Sequence, residues 1–230
     1  MMRNDGRVLV LQHQDDDPPG NLALWLDDEG IDWQLVDLAA DELPPLARHR
    51  ALVVLGSRES VLDPVEPWAL PERAFVRAQT KMGTPVLGIC YGAQLLAQIL
   101  GGAVHRSSQP EHGWTEITPV HPEAPFAEAV RGCWFEWHED GISLPPHATL
   151  IAENQHVQAF GHGRHLGVQF HPEITSGLIH AWMVSERRQR KVAKVGGRPE
   201  QILEATHTLH RSAEQAARRL YRAFLDGADG

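Results

Sequence analysis

The spacing of hydrophobic positions changes along the chain, and the change near Gly102 divides it in two. Before that point, three short runs are apolar at nearly every position: 7–12, 51–55 and Val86–Ile89. Such runs predict strands buried on both faces, as in a parallel sheet. A further strand is predicted over 32–37. Between these strands apolar residues recur at helical spacing, which predicts helices over 22–29, 72–82 and 91–100. Asn21 is the expected N-cap of the first helix and Gly30 its stop, while Gly83 closes the second and Gly101 and Gly102 the third. Strands and helices therefore alternate at βαβ spacing. The expected fold class is α/β: a doubly wound, mostly parallel central sheet with helices on both faces.

After Gly102 the runs are short and separated by Pro, Gly and polar turns: 103–106, 115–120, 133–138, Thr149–Glu153, 157–160 and 165–170. They predict an antiparallel extension of the same sheet. In the 133–138 run, Cys133, Phe135 and Trp137 share one face, and Trp134, Glu136 and His138 the other. A helix is predicted over 176–191, with Leu178, Ile179, Trp182 and Met183 as its core stripe. A long amphipathic helix is predicted over 200–226, with Ile202, Leu209, Ala213, Ala216, Leu220 and Phe224 at helical spacing. One domain spanning 1–230 is expected, its core at about 7–175 and its C-terminal helices at about 176–226.

Charge narrows the function. The net charge of −9 argues against a nucleic-acid surface as the main function. The basic run of Arg187, Arg188, Arg190, Lys191 and Lys194 is expected to be a solvated helix end, and the Asp15, Asp16 and Asp17 cluster a solvated loop. Two cysteines, Cys90 and Cys133, make no disulfide framework and carry no zinc spacing. His156, His162 and His165 have loose, turn-like spacing, so no metal and no cofactor are expected. Met1 to Gly6 leads into the first strand without a signal peptide, and no apolar stretch is long enough to span a bilayer. No membrane is expected among the partners, and a reduced cytoplasm is the expected compartment.

The candidate chemistry lies where the strand Val86–Ile89 meets the helix that follows. Cys90 sits at that joint, between Gly88 and Gly92. A sharp strand-to-helix turn lifts the apical side chain out of the sheet, as in a nucleophile elbow. The positive end of the helix dipole favours a thiolate there. A small buried cysteine in a Gly-rich connection is the alternative for this segment alone. A cysteine nucleophile needs a base, and the base an orienting group. The segment ending in Phe170-His171-Pro172-Glu173 supplies both, with a strand delivering His171 to the sheet edge and Glu173 two residues on. Taken alone, His171 could equally be a histidine that caps a strand end.

Together, the Gly88-Ile89-Cys90-Tyr91-Gly92-Ala93-Gln94 elbow and the Val168-Gln169-Phe170-His171-Pro172-Glu173 segment resemble the class I, triad-type glutamine amidotransferases. The resemblance covers the chain from Arg7 to about Ser176. Trp137-His138-Glu139-Asp140 and the Leu144-Pro145 that follows are similar to stand-alone members related to the amidotransferase domain of GMP synthase. The resemblance implies a flavodoxin-like fold and hydrolysis of the glutamine side-chain amide through a γ-glutamyl thioester. Cys90 would be the nucleophile, His171 the proton shuttle and Glu173 its support. Backbone N–H groups of Ser57 and Tyr91 would form the oxyanion hole, and Gly56, Gln94 and His138 would bind substrate. The ammonia would pass to a synthase on a separate chain.

Two departures stand near this pocket. Gly56-Ser57-Arg58 replaces the usual Gly-Gly-Pro, and Glu139 replaces a usual glycine. If the second glycine must take a positive φ, Ser57 is a poor substitute; if only its N–H is needed, Ser57 serves. Two other functions stay open at this point. One is hydrolysis of a different γ-glutamyl amide; the other is a catalytically silent binding module.

Overall fold

In a computed structural model, residues 6–229 are described. The expected direct run of the N-terminus into the first strand falls largely on residues 1–5, outside that range. The first half of the chain forms β1 (Val8–Gln12), α1 (Gly20–Asp28), β2 (Trp33–Asp37), β3 (Ala51–Val54), α2 (Ala69–Lys81), β4 (Val86–Ile89) and α3 (Tyr91–Ile99). The second half forms β5 (Ala103–Ile117), α4 (Ala127–Val130), β6 (Gly132–Ser143), β7 (Thr149–Glu153), β8 (Val157–His162) and β9 (His165–Val168). The C-terminal helices are α5 (Ser176–Val184), α6 (Glu186–Lys194) and α7 (Pro199–Asp229).

Among the described residues, seven strands form one sheet in the order β2-β1-β3-β4-β9-β8-β7. β2, β1, β3, β4 and β9 run parallel, while β8 pairs antiparallel with both β9 and β7. β1, β3 and β4 are buried at every position because both faces of the sheet are covered. On one face Trp25, Leu26, Leu220 and Phe224 of α1 and α7 close over Val8, Val53 and Ile89. On the other, Phe75, Val76, Leu95 and Leu96 of α2 and α3 pack on Leu9, Val54 and Val86. The doubly wound expectation holds, and the long C-terminal helix packs on the body as its apolar stripe predicts. No helix among the described residues is long and apolar enough to cross a membrane.

Three expectations need correction. β5 and β6 do not extend the central sheet. They pair with each other as a separate antiparallel ribbon, which shifts register between Arg106 and Glu111. Isolated short runs in the sequence therefore conceal one strand that continues from Ala103 to Ile117, because partly solvated positions blur its alternation. The helix expected over 176–191 breaks at Ser185, whose extended backbone (φ −73°, ψ 117°) turns α6 away from α5. Asn21 is not an N-cap, since α1 starts at Gly20, two residues earlier than expected, with Pro19 in the cap position. Its side chain instead donates to the Ile174 carbonyl at 2.6 Å, and its backbone N–H to the Glu173 carbonyl at 2.8 Å.

The elbow between β4 and α3 demands close backbone approach. A Cβ placed on Gly92 would lie 2.1 Å from the Val54 carbonyl oxygen, which is an outright overlap with main chain that cannot rotate away. Gly92→Ala is therefore expected to cost about 3 kcal/mol, the upper end of overpacking penalties. Urea unfolding of the two proteins measures it, and a loss below ~1 kcal/mol would mean that α3 can slide off β3.

Candidate active site

The three parallel strands β3, β4 and β9 end side by side, and their carboxyl ends deliver the candidate residues to one place. In open α/β sheets this edge is where ligands bind. Cys90, directly after β4, takes φ 51° and ψ −106°, a conformation rare for a non-glycine residue. Its N–H is held by the Val168 carbonyl of β9 at 2.8 Å. Its thiol reaches the Trp137 carbonyl at 3.7 Å. Backbone strain of this kind persists only where surrounding contacts enforce it, and it concentrates at functional sites.

His171 follows β9 by three residues and meets Cys90 beside Gly56. A Cβ on Gly56 would lie 3.0 Å from His171 Cε1 and 3.8 Å from Cys90 Cβ, so glycine leaves the space in which the two side chains face each other. The His171 backbone N–H donates to Phe135 O of the ribbon at 2.9 Å. Its Nδ1 donates to Glu173 Oε1 at 2.6 Å. Nε2 is buried without a hydrogen-bond partner, on the ring edge left for the thiol. Burial alone would lower the pKa of this imidazole. The charges of Glu173 and Cys90 outweigh it, and the result lies well above the ordinary histidine value. The base, its orienting carboxylate and the nucleophile expected from sequence are thus brought together.

The loop after β3 resolves the serine departure. Ser57 is not among the residues with positive φ, so a left-handed backbone is not required there. Its hydroxyl accepts from Gln14 Nε2 at 2.9 Å and from the Glu59 N–H at 3.1 Å, and the Arg58 N–H donates to Gln14 Oε1 at 3.1 Å. One glutamine at the end of β1 therefore pins the loop. Gln94 is buried one turn into α3, with Nε2 3.4 Å from both the Asp140 carbonyl and Gln169 Oε1. His138 is buried too, bonded through Nδ1 to the Asp140 carbonyl at 3.0 Å and through Nε2 to Glu111 at 2.9 Å. Ser57, Cys90, Tyr91, Gln94, His138 and His171 all line one cavity of about 580 Å³.

The remaining wall was not legible as a site. Asp15, Asp16 and Asp17 line the cavity, as do Arg187, Arg188 and Lys191, so neither charge cluster is simply solvated. Arg188 pairs with Asp16 at 3.0 Å and with Asp17 at 3.3 Å, and its guanidinium lies 4.1 Å over the Trp182 ring. Trp182 and His171 meet edge to face, with ring centroids 5.8 Å apart and planes at 86°. Burial, then the Asp16 charge, push Asp17 up to about 6 despite the opposing pull of Arg188. Lys191 pairs with Glu139 at 2.7 Å, which gives that second departure a partner. Opposite signs at 15–17 and 187–194 were the available signal, but nothing local says that they meet. The three histidines set aside above are half-buried rather than exposed: His165 Nδ1 accepts from the Val86 N–H at 3.1 Å, and His156 Nε2 bonds the Gln109 carbonyl at 2.8 Å.

Residues 61–187 match the family model described as glutamine amidotransferase class-I. A GMP synthase [glutamine-hydrolyzing] of Thermus thermophilus is 34% identical over 197 residues, which cover 81% of this chain and 37% of that protein. The chain thus spans little more than a third of the curated relative's length. A glutamine amidotransferase structure from Thermotoga maritima aligns with a TM-score of 0.85 and 25% identity, over 96% of this chain and 98% of that one. A glutamine amido transferase from Methylobacillus flagellatus gives 0.86 and 26%, over 96% and 94%.

The raised pKa of His171 gives a signed expectation for stability. A group whose folded pKa lies above its unfolded value contributes fully below the unfolded pKa, near 6.5, and loses that contribution as pH rises through the folded value. Glu173→Gln removes the paired charge. The stability advantage of the wild type over Glu173→Gln should therefore be largest near pH 6 and shrink at alkaline pH, as read by urea unfolding at both. An advantage that grows with pH would contradict a charged His171–Glu173 pair.

Proposed function

The chain belongs to the class I glutamine amidotransferases, and from that premise we propose that it hydrolyses the side-chain amide of glutamine through Cys90, His171 and Glu173. The observation that carries this reading is the convergence of a strained cysteine elbow with a histidine held at 2.6 Å by a carboxylate. Cys90 sulfur, with its proton carried by His171, attacks the amide carbon, and the carbonyl oxygen becomes an oxyanion. The backbone N–H groups of Ser57 and Tyr91 receive that oxyanion. His171 gives a proton to the departing nitrogen, the C–N bond breaks, and ammonia leaves a γ-glutamyl thioester on Cys90. Water then attacks the thioester carbon while His171 takes its proton, and the thiolate and glutamate separate. Glu173 keeps the Nδ1 proton in place so that Nε2 faces the reacting atoms. Gly56, Gln94 and His138 shape the glutamine pocket.

The ammonia acceptor would be a synthase on a separate chain, working in a reducing cytoplasm that keeps Cys90 as a thiol. A second reading, hydrolysis of another γ-glutamyl amide, gains support from the cavity. At about 580 Å³ it extends past the triad to the charged face of α6, and a larger leaving amine has room there. Turnover of glutamine alone and of γ-glutamyl amines, each with purified protein, separates the two: the first reading expects the higher kcat/KM on glutamine.

Cys90→Ser and Glu173→Gln should each lower kcat by roughly 10³–10⁴-fold, in line with loss of a triad member. Ser57→Pro deletes the proposed oxyanion donor and should lower kcat by roughly 10²–10³-fold with KM little changed. Steady-state release of ammonia checks all three. Full activity in Ser57→Pro would place the oxyanion elsewhere.

A further inference from the structure

Behind the cavity wall lies a buried polar chain that the reaction as written does not use. His13, just past the end of β1, is 1% exposed. Its Nδ1 bonds the Gly56 carbonyl at 2.9 Å, and its Nε2 bonds Glu72 Oε1 of α2 at 2.8 Å. With Glu72 as a carboxylate both partners are acceptors, and both ring nitrogens donate. The other oxygen of Glu72 accepts from the Tyr91 hydroxyl at 3.0 Å. Glu72 is itself fully buried. Trp68 and Tyr91 pack on the imidazole with centroids 4.7 and 4.8 Å away. Burial alone would lower the pKa of His13, but the Glu72 charge and hydrogen bonds raise it above the ordinary value.

The two ends of this chain are the Gly56 carbonyl, which shares a peptide with the Ser57 N–H, and Tyr91; the Ser57 and Tyr91 N–H groups are the two assigned to the oxyanion. The Gly56 carbonyl and the Ser57 N–H belong to one planar peptide and point in opposite directions. A donor that fixes the carbonyl on the inner side therefore fixes the N–H toward the cavity. Tyr91, whose N–H is the other donor, is anchored through its hydroxyl to the same carboxylate. We propose that His13 is a positioning residue for the oxyanion hole: through Glu72 it ties the Gly56–Ser57 peptide and Tyr91 into one rigid frame. The inference rests on the assignment of glutamine hydrolysis to this site. A preset donor is worth most when it needs no reorganisation as charge develops. The same bond explains why the loop can carry Ser57 and Arg58: the peptide plane is held from behind by His13.

Side-chain shape supplies the test. The amide nitrogen of asparagine occupies the place of histidine Nδ1, whereas that of glutamine occupies the place of Nε2. His13→Asn can therefore donate to the Gly56 carbonyl, and His13→Gln only toward Glu72. His13→Ala and His13→Gln should lose roughly 10²-fold in kcat on glutamine, the scale of a misplaced catalytic group, with KM within about threefold. His13→Asn should recover to within about tenfold of the wild type. Alkylation of Cys90 by iodoacetamide forms no oxyanion, so its rate should stay within about threefold in all three variants. Glu72→Gln, nearly isosteric, serves as a second probe and should lower kcat in the same sense.

Equal losses in His13→Asn and His13→Gln, or a parallel fall in alkylation, would overturn the inference in favour of a general packing role. Unchanged kcat in His13→Ala would overturn it outright. Absence of glutamine turnover by the wild type would instead overturn the functional reading on which the inference depends.

Discussion

The structure depends on one close contact, the pressing of the β4–α3 elbow against β3. Gly92 lies so near the Val54 carbonyl that no side chain fits between them. That approach swings α3 across the end of the sheet, and Cys90 has to adopt a positive φ to make the turn. The thiol then stands beyond the sheet instead of within it. The same turn brings the Cys90 N–H to Val168, which aligns β9 beside β4 and so fixes where His171 emerges. Strain at one residue is thus offset by the packing of the central strands, whose side chains are buried almost without exception.

Around that centre, tertiary contacts come from distant parts of the chain. The first turn of α1 holds Glu173 and Ile174 by their carbonyls through Asn21. The β5–β6 ribbon receives the His171 N–H and supplies His138 and Trp137 to the cavity. Helix α6 closes the remaining side, and Arg188 fastens it to Asp16 and Asp17. Arg188 and Asp17 are largely buried at this contact, so the pair is less screened than a surface ion pair, and removing one partner would leave the other charge poorly solvated.

Much of the fold was legible because its first half is local. Continuous apolar runs mark strands covered on both faces, and glycines mark where helices stop. The Cys90 and His171 segments were legible for the same reason, since each carries its own turn chemistry within a few residues. What was not legible is long-range. The sequence 103–117 contains Pro110 and many polar side chains, so its continuity as a strand comes only from pairing with β6. Ser185 breaks a helix that periodicity alone would continue. His13 follows the first apolar run without any local sign of a role, because Gly56 and Glu72 reach its ring from distant parts of the chain. Charge clusters such as 15–17 and 187–194 look solvated one at a time, and they line a pocket only because the fold opposes them.

The most direct test of the central claim is intact-mass spectrometry after incubation with a diazo-ketone analogue of glutamine, with Cys90→Ser as control. One adduct per chain is expected, mapped to Cys90 and absent from the variant. A folded wild-type protein that forms no adduct, or an adduct that persists in Cys90→Ser, would contradict a cysteine nucleophile in a glutamine pocket.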